Sequence, residues 1–147
     1  MRFTKEQKRK IFDRTGGCCH ICGLKLAFCN YNRSEYRGAW EIEHSIPRSK
    51  GGSDHMNNLF AAHIYCNREK SNFSTRTARG WNGQTRAPMS AARRLEVRRG
   101  NAVLGGLLGA LIGAGSGPLG MFALGALGAK IGYDTNPERN RYDERRL

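Results

Sequence analysis

The sequence predicts an α+β fold: a small domain built from a strand, a loop, a second strand and a helix, followed by a glycine-rich α-helical hairpin. Three observations predict it. The stretch AWEIEHSI sets Trp40, Ile42, His44 and Ile46 in alternation with Glu41, Glu43 and Ser45, which is the period of a strand. Two pairs, Cys19-x-x-Cys22 and His63-x-x-Cys66, flank that strand at spacings that suit one tetrahedral metal. Between Asn101 and Lys130 there is no charged residue, and Gly, Ala and Leu dominate.

Each element follows from local chemistry. In TKEQKRKIFDRTGG, Thr4 with Gln7 three residues on forms a capping pair, and Gly16-Gly17 ends the helix. PRSKGGSD is a loop by its Pro and Gly-Gly, NLFAA is a short apolar strand, and HIYCNREKSNF suits a helix. STRTARGWNGQTRAP, residues 74–88, is expected to be an irregular basic connector, with Trp81 as readily a packing anchor as a ring for base stacking. SAARRLEVRR then offers a capped helix whose arginines can follow a phosphate backbone. The expected domains are 1–73 (core 16–73), a connector and helix over 74–100, the hydrophobic hairpin over 101–133 and a charged tail over 134–147.

A chain of 147 residues has room for one ordinary domain and an appendage, which excludes a two-core enzyme. Lys and Arg number 25 against 12 acidic residues, a formal charge of +13, and nearly all the excess precedes Gly100. A polyanion partner follows, nucleic acid ahead of anionic lipid. Five cysteines, an odd number with a C-x-x-C among them, suit a metal site in a reducing compartment better than a disulfide framework. The charged N-terminus has no apolar stretch of the secretory kind, so a cytoplasmic location is expected.

Cys19, Cys22, His63 and Cys66 are the expected ligands of a structural Zn²⁺. Cys18, His20 and Cys29 stand as substitutes, and sequence does not choose between the adjacent Cys18 and Cys19. A closed four-ligand zinc holds a fold and leaves no position for chemistry, so catalysis must lie elsewhere. Cutting a phosphodiester needs a base, a divalent cation and cationic groups on the backbone. His44 suits the base, and Glu43 and Asn67 offer hard oxygens to Mg²⁺ or another divalent ion.

At these residues the chain resembles the HNH endonucleases, the zinc-bearing ββα-metal nucleases. His44, thirteen residues, Asn58, eight residues and Asn67, preceded by Glu43 and followed by Lys70, carry the resemblance within EIEHSIPRSKGGSDHMNNLFAAHIYCNREK, with Cys19 and Cys22 upstream. It implies that His44 is the general base, that Glu43 and Asn67 bind the catalytic metal, that Asn58 orders the loop around the histidine, and that Lys70 faces the phosphate. Arg48, Lys50, Arg68, Arg76 and Arg79 are further candidate DNA contacts. The family more often has Cys at the position of His63, Asp at that of Glu43 and His at that of Asn67. A regular strand sends Glu43 and His44 to opposite faces, so both serve one phosphate only if the strand ends or bulges there, and Pro47 favours an end.

Gly105, Gly109, Gly113 and Gly117 recur at intervals of four, a glycine-zipper pattern. GSGPLG breaks the run, and Arg93, Arg94, Arg98 and Arg99 before it with Lys130, Arg139 and Arg141 after it favour a hairpin that enters a membrane and returns. Each arm of about 13 residues reaches only about 20 Å, too short to cross. A soluble oligomerisation element and a flexible low-complexity tail are the other readings. The leading expectation is a DNA endonuclease, tethered to the inner face of a bacterial membrane or forming a homo-oligomer through its tail, that acts on incoming phage or plasmid DNA. The alternatives are a nuclease toxin with a membrane-translocating tail, and a zinc-dependent DNA-binding module that does not cut.

Overall fold

The computed structural model describes residues 3–135; Arg139, Arg141 and all of the charged tail beyond Thr135 lie outside the described residues. The described part divides into two compact units, with the division along the chain falling between Ala91 and Ala92.

In the first unit, α1 (Lys5–Asp13) begins at Thr4, whose side chain accepts from Gln7 N while the Gln7 side chain accepts from Thr4 N, at 2.8 Å. This reciprocal cap satisfies two of the amide groups that a helix start leaves without partners. The helix buries Ile11 and Phe12 against the strand pair. Strands β1 (Trp40–His44) and β2 (Leu59–His63) are antiparallel, with Trp40 opposite His63 and His44 opposite Leu59. Trp40 is wholly buried and packs against Phe12, Phe28 and Tyr31 with ring centroids 4.9–6.0 Å apart. It is a core residue and cannot reach a base.

Helix α2 (Ile64–Lys70) follows β2 without a loop and stops at Ser71, whose φ of 50° is incompatible with another turn. It is shorter than the 63–73 stretch that suits a helix in the sequence. The expected irregular connector contains a helix, α3 (Thr75–Trp81). Ser74 caps it by accepting from Thr77 N at 3.2 Å, and Thr75 and Ala78 are buried beneath it. Tertiary burial of those two residues stabilises a helix of about two turns that its composition disfavours.

In the second unit, α4 (Ala91–Gly113) runs unbroken through the expected boundary at 100–101. A short 3-10 turn at Ala114–Ser116 leads to α5 (Gly117–Asp134), which has Pro in its first turn. The two helices fold back on one another at glycines: Gly105 meets the backbone of Gly128, Gly109 that of Leu124 and Gly125, Gly113 that of Gly120, and Gly132 that of Asn101. At each of these sites a Cβ would collide with the opposing main chain. Gly117 does not belong to this face; its φ of 78° makes the turn. Because the smooth faces are turned inward, the larger side chains point out, with Leu111, Ile112, Leu119 and Phe122 each more than 70% exposed. By length and composition, Ala91–Asp134 is long and apolar enough to cross a membrane.

Candidate active site and metal centre

The metal centre is assembled from three segments. A tight turn, closed by Cys19 N donating to Leu24 O at 2.8 Å and Gly23 N to Cys19 O at 2.9 Å, aims Cys19 and Cys22 inward. The end of β2 contributes His63, and one turn of α2 brings Cys66 to the same point. Ligand atoms of Cys19, Cys22, His63 and Cys66 all lie within 4.8 Å of one another, and Cys22 Sγ is 3.4 Å from His63 Nδ1. Two thiolates on one zinc at 2.3 Å stand about 3.8 Å apart, so the cluster can hold the ion with little movement. Backbone amides of Cys22 and His63 point at Cys19 Sγ, at 3.5 and 3.3 Å, and orient that sulfur toward the cluster. Contacts with Cys19 and Cys66 bring the Cys22 thiol down to about 3, whereas Cys66 is pushed up by the same crowding of sulfurs. Three sulfurs and an imidazole nitrogen converging on one point form a donor set that suits a soft-to-borderline cation.

The substitutes lie apart from this point. Cys18 is buried with its sulfur toward Gly16 O, Cys29 is exposed beside Asn30, and the His20 ring turns to Glu43. Adjacent residues diverge here because the backbone bridge between Cys18 and Lys25 directs the two cysteine side chains apart.

A second site opens where β1 ends. A groove is lined by His44, Pro47, Arg48, Ser49, Asn67, Lys70, Ser71 and Asn72. The loop that follows β1 is held by one amide: Asn58 Oδ1 accepts from Ile46 N at 2.7 Å, and its Nδ2 donates to Ile46 O at 3.0 Å and Ser53 O at 2.9 Å. Gly52 fits under this clamp because a Cβ there would strike Ile46 O. The loop so held delivers a residue that the motif reading did not include. Asp54 Oδ1 lies 2.7 Å from His44 Nε2, and the Arg48 guanidinium binds the same oxygen through Nε at 3.0 Å and Nη2 at 2.5 Å. Hydrogen bonding from His44 first, then Arg48, keeps the Asp54 carboxyl below its ordinary range. A carboxylate only accepts, so His44 Nε2 carries the hydrogen, and Arg48 Nε, although 3.2 Å from Nε2, gives its proton to Asp54. The lone pair of the neutral ring is then on Nδ1. Only an acidic residue in a glycine-rich loop signals Asp54 in the sequence, and nothing local says that it reaches His44.

Glu43 departs from its expected place. The strand ends at His44, yet Glu43 still turns the opposite way, into the protein, where its side chain is fully buried. It bonds His20 Nδ1 at 2.8 Å and accepts from Thr75 Oγ1 at 2.8 Å, and Lys70 Nζ lies 3.3 Å away. The carboxylate that touches Asn67 is instead Glu41, with Asn67 Nδ2 donating to its Oε1 at 2.9 Å. Glu41 and Glu43 share a strand face, but α2 and α3 cover only the second of them completely.

Lys70 also departs from expectation. Its ammonium is buried, donates to His44 O at 2.9 Å and neutralises Glu43, so it props the histidine strand from beneath and does not face a phosphate. Truncating one partner of a buried ion pair leaves the other without compensation. Lys70→Met is therefore expected to destabilise the first unit by about 3–5 kcal/mol, read as a lower urea midpoint in the fluorescence of buried Trp40. Among the other candidate cations, Arg48 is paired with Asp54, and Arg79 is half-buried and its pKa lowered by that desolvation. Arg68 lies on a different cleft, next to the metal cluster, while Lys50 and Arg76 are exposed.

No curated protein and no solved structure matches the chain. The HNH endonuclease family model matches residues 19–73, a span that contains both strands, α2, all four Cys/His ligands and the groove histidine with its loop. Residues 19–73 therefore form a domain of the HNH endonuclease family.

Proposed function

We propose that the chain is a metal-dependent endonuclease that hydrolyses phosphodiester bonds in DNA, with His44 as general base. The observation that carries this reading is the arrangement of His44, Asp54 and Arg48 at the mouth of a groove inside the matched domain. Asp54 holds the Nε2 hydrogen and leaves Nδ1 to take a proton from water. As the imidazolium forms, the adjacent carboxylate offsets its charge. Arg48 is already at the groove and can exchange Asp54 for a phosphate oxygen. Asn58 keeps this set in register by fixing the loop on both sides.

Among the described residues only the Cys/His set brings three or more His, Cys, Asp or Glu ligands together, so a catalytic ion would have few protein ligands. That fits Mg²⁺, which retains water and shares substrate oxygens. Asn67 is an oxygen donor that lines the groove and Glu41 is the carboxylate hydrogen-bonded to it, whereas Glu43 would first have to leave His20, Thr75 and Lys70. When bound, a divalent ion supplies charge neutralisation at the phosphate and the departing oxygen. Incubating supercoiled plasmid with the full chain in mild detergent, with and without added Mg²⁺, tests the reading. Nicking that depends on the added ion is expected; tight, salt-sensitive binding with no cut would leave a zinc-dependent DNA-binding module.

The helical hairpin, in this proposal, anchors the nuclease on the inner face of a bacterial membrane, where entering phage or plasmid DNA first appears. Its outward leucines and its composition support lipid as the surroundings, since water would solvate such a coat poorly. The full chain is expected to float with phospholipid vesicles, and a Leu111→Asp, Phe122→Asp variant to stay in the dense fraction. Equal flotation of the two would remove the anchor from the proposal.

A further inference from the structure

We infer that Phe73 and Trp81 form a stacking platform for an unpaired nucleobase at the edge of the histidine groove, an inference that rests on the nuclease reading above. The two rings meet edge to face, with centroids 5.3 Å apart and planes at 74°, yet Phe73 remains 47% exposed and Trp81 52% exposed. Helix α3 already has its inward anchors in Thr75 and Ala78, so the position of Trp81 is not needed to bury the helix.

The pair is tied to the groove through both of its neighbours. Ser71 and Asn72 line the groove and Phe73 is the next residue, held there by its N–H donating to Lys70 O at 3.0 Å. On the other side, Lys50 Nζ stands 5.6 Å from the Phe73 ring centroid and belongs to the same short turn as Arg48 and Ser49, which line the groove. An aromatic face with an ammonium beside it presents the two things a nucleotide offers partners for, a flat base and a phosphate. A base inside a duplex has both faces covered by its neighbours, so rings of this kind engage a strand that is single, frayed or locally opened. The expected substrate class is accordingly DNA with unpaired bases next to the bond that is cut.

The chain has two tryptophans, and Trp40 is wholly buried, so a change in fluorescence on adding DNA reports Trp81. A His44→Ala variant of the full chain, which does not consume its ligand, is titrated with a short oligothymidylate and with an abasic strand of the same length and charge. Quenching by the thymidylate alone, with binding about tenfold tighter than for the abasic strand and that preference lost in Trp81→Ala when binding is read by filter retention, is the expected result. Equal binding and equal quenching by the two strands would overturn the platform, and that comparison holds even if Trp81→Ala fails to fold. Because no cut is required, the outcomes separate: plasmid nicking without base discrimination sinks the platform alone, and base-dependent quenching in a chain that never nicks sinks the nuclease reading alone.

Discussion

Replacing His44 by Ala is expected to lower plasmid nicking by about 10²–10⁴-fold while DNA binding stays within about twofold. The size follows from what a positioned base contributes to proton transfer, and the selectivity from where His44 sits. Its ring is bonded to Asp54, at the end of a strand whose support comes from Lys70 below the backbone. Removing the ring therefore leaves the strand, the ion pair beneath it and the exposed cations Lys50 and Arg76 in place. Asp54→Ala should fall between wild type and His44→Ala, with the loss in kcat and little change in KM, because Asp54 acts through the histidine. Nicking by His44→Ala at the wild-type rate would remove the base from this site.

Stripping zinc is expected to have the largest structural effect: a strong chelator should unfold the first unit, with exposure of Trp40, and one equivalent of Zn²⁺ should restore it. Structural zinc binding is worth about 10–16 kcal/mol at neutral pH, comparable with or above the whole stability of a typical domain, about 5–15 kcal/mol. Here the four candidate ligands come from the Cys19–Cys22 turn, the end of β2 and the first turn of α2, so an ion held there would cross-link segments more than forty residues apart. The core around them is small, made of Ile21, Ala62, Ala78 and the cysteines themselves. Without an ion, three sulfurs would crowd one another in that core with nothing bound between them. Cys66→Ser should reproduce the loss, and a chelated chain that keeps Trp40 buried would show that hydrophobic packing alone suffices.

Much of the site was legible because its signals are local. A Cys-x-x-Cys pair is converged by one tight turn, His63-x-x-Cys66 by the junction of a strand and one helical turn, and the alternation at 40–46 by the pleat. The two asparagines were legible by their spacing from His44, and the structure gives each an environment: Asn58 clamps the loop and Asn67 lines the groove beside Glu41. Helix α3 was missed because a seven-residue segment with Gly80 and the two threonines Thr75 and Thr77 has no helical preference of its own. In the second unit, interval-four glycines were visible, but the assignment of Gly117 to the same face failed once the turn took it.

The residue types that could hold a metal and the histidine that could act as a base were readable in the chain, since ligand chemistry and short spacings are set by the side chains and one or two turns of backbone. Where each carboxylate near that histidine ends up is a matter of tertiary packing. Covering one strand face with α2 and α3 buries Glu43 against Lys70 and His20 and leaves Glu41 at Asn67, while the loop clamp brings Asp54 ten residues along the chain to Nε2. Those choices depend on what packs over each face, and a side chain's burial is a property of the neighbours that arrive from elsewhere in the chain.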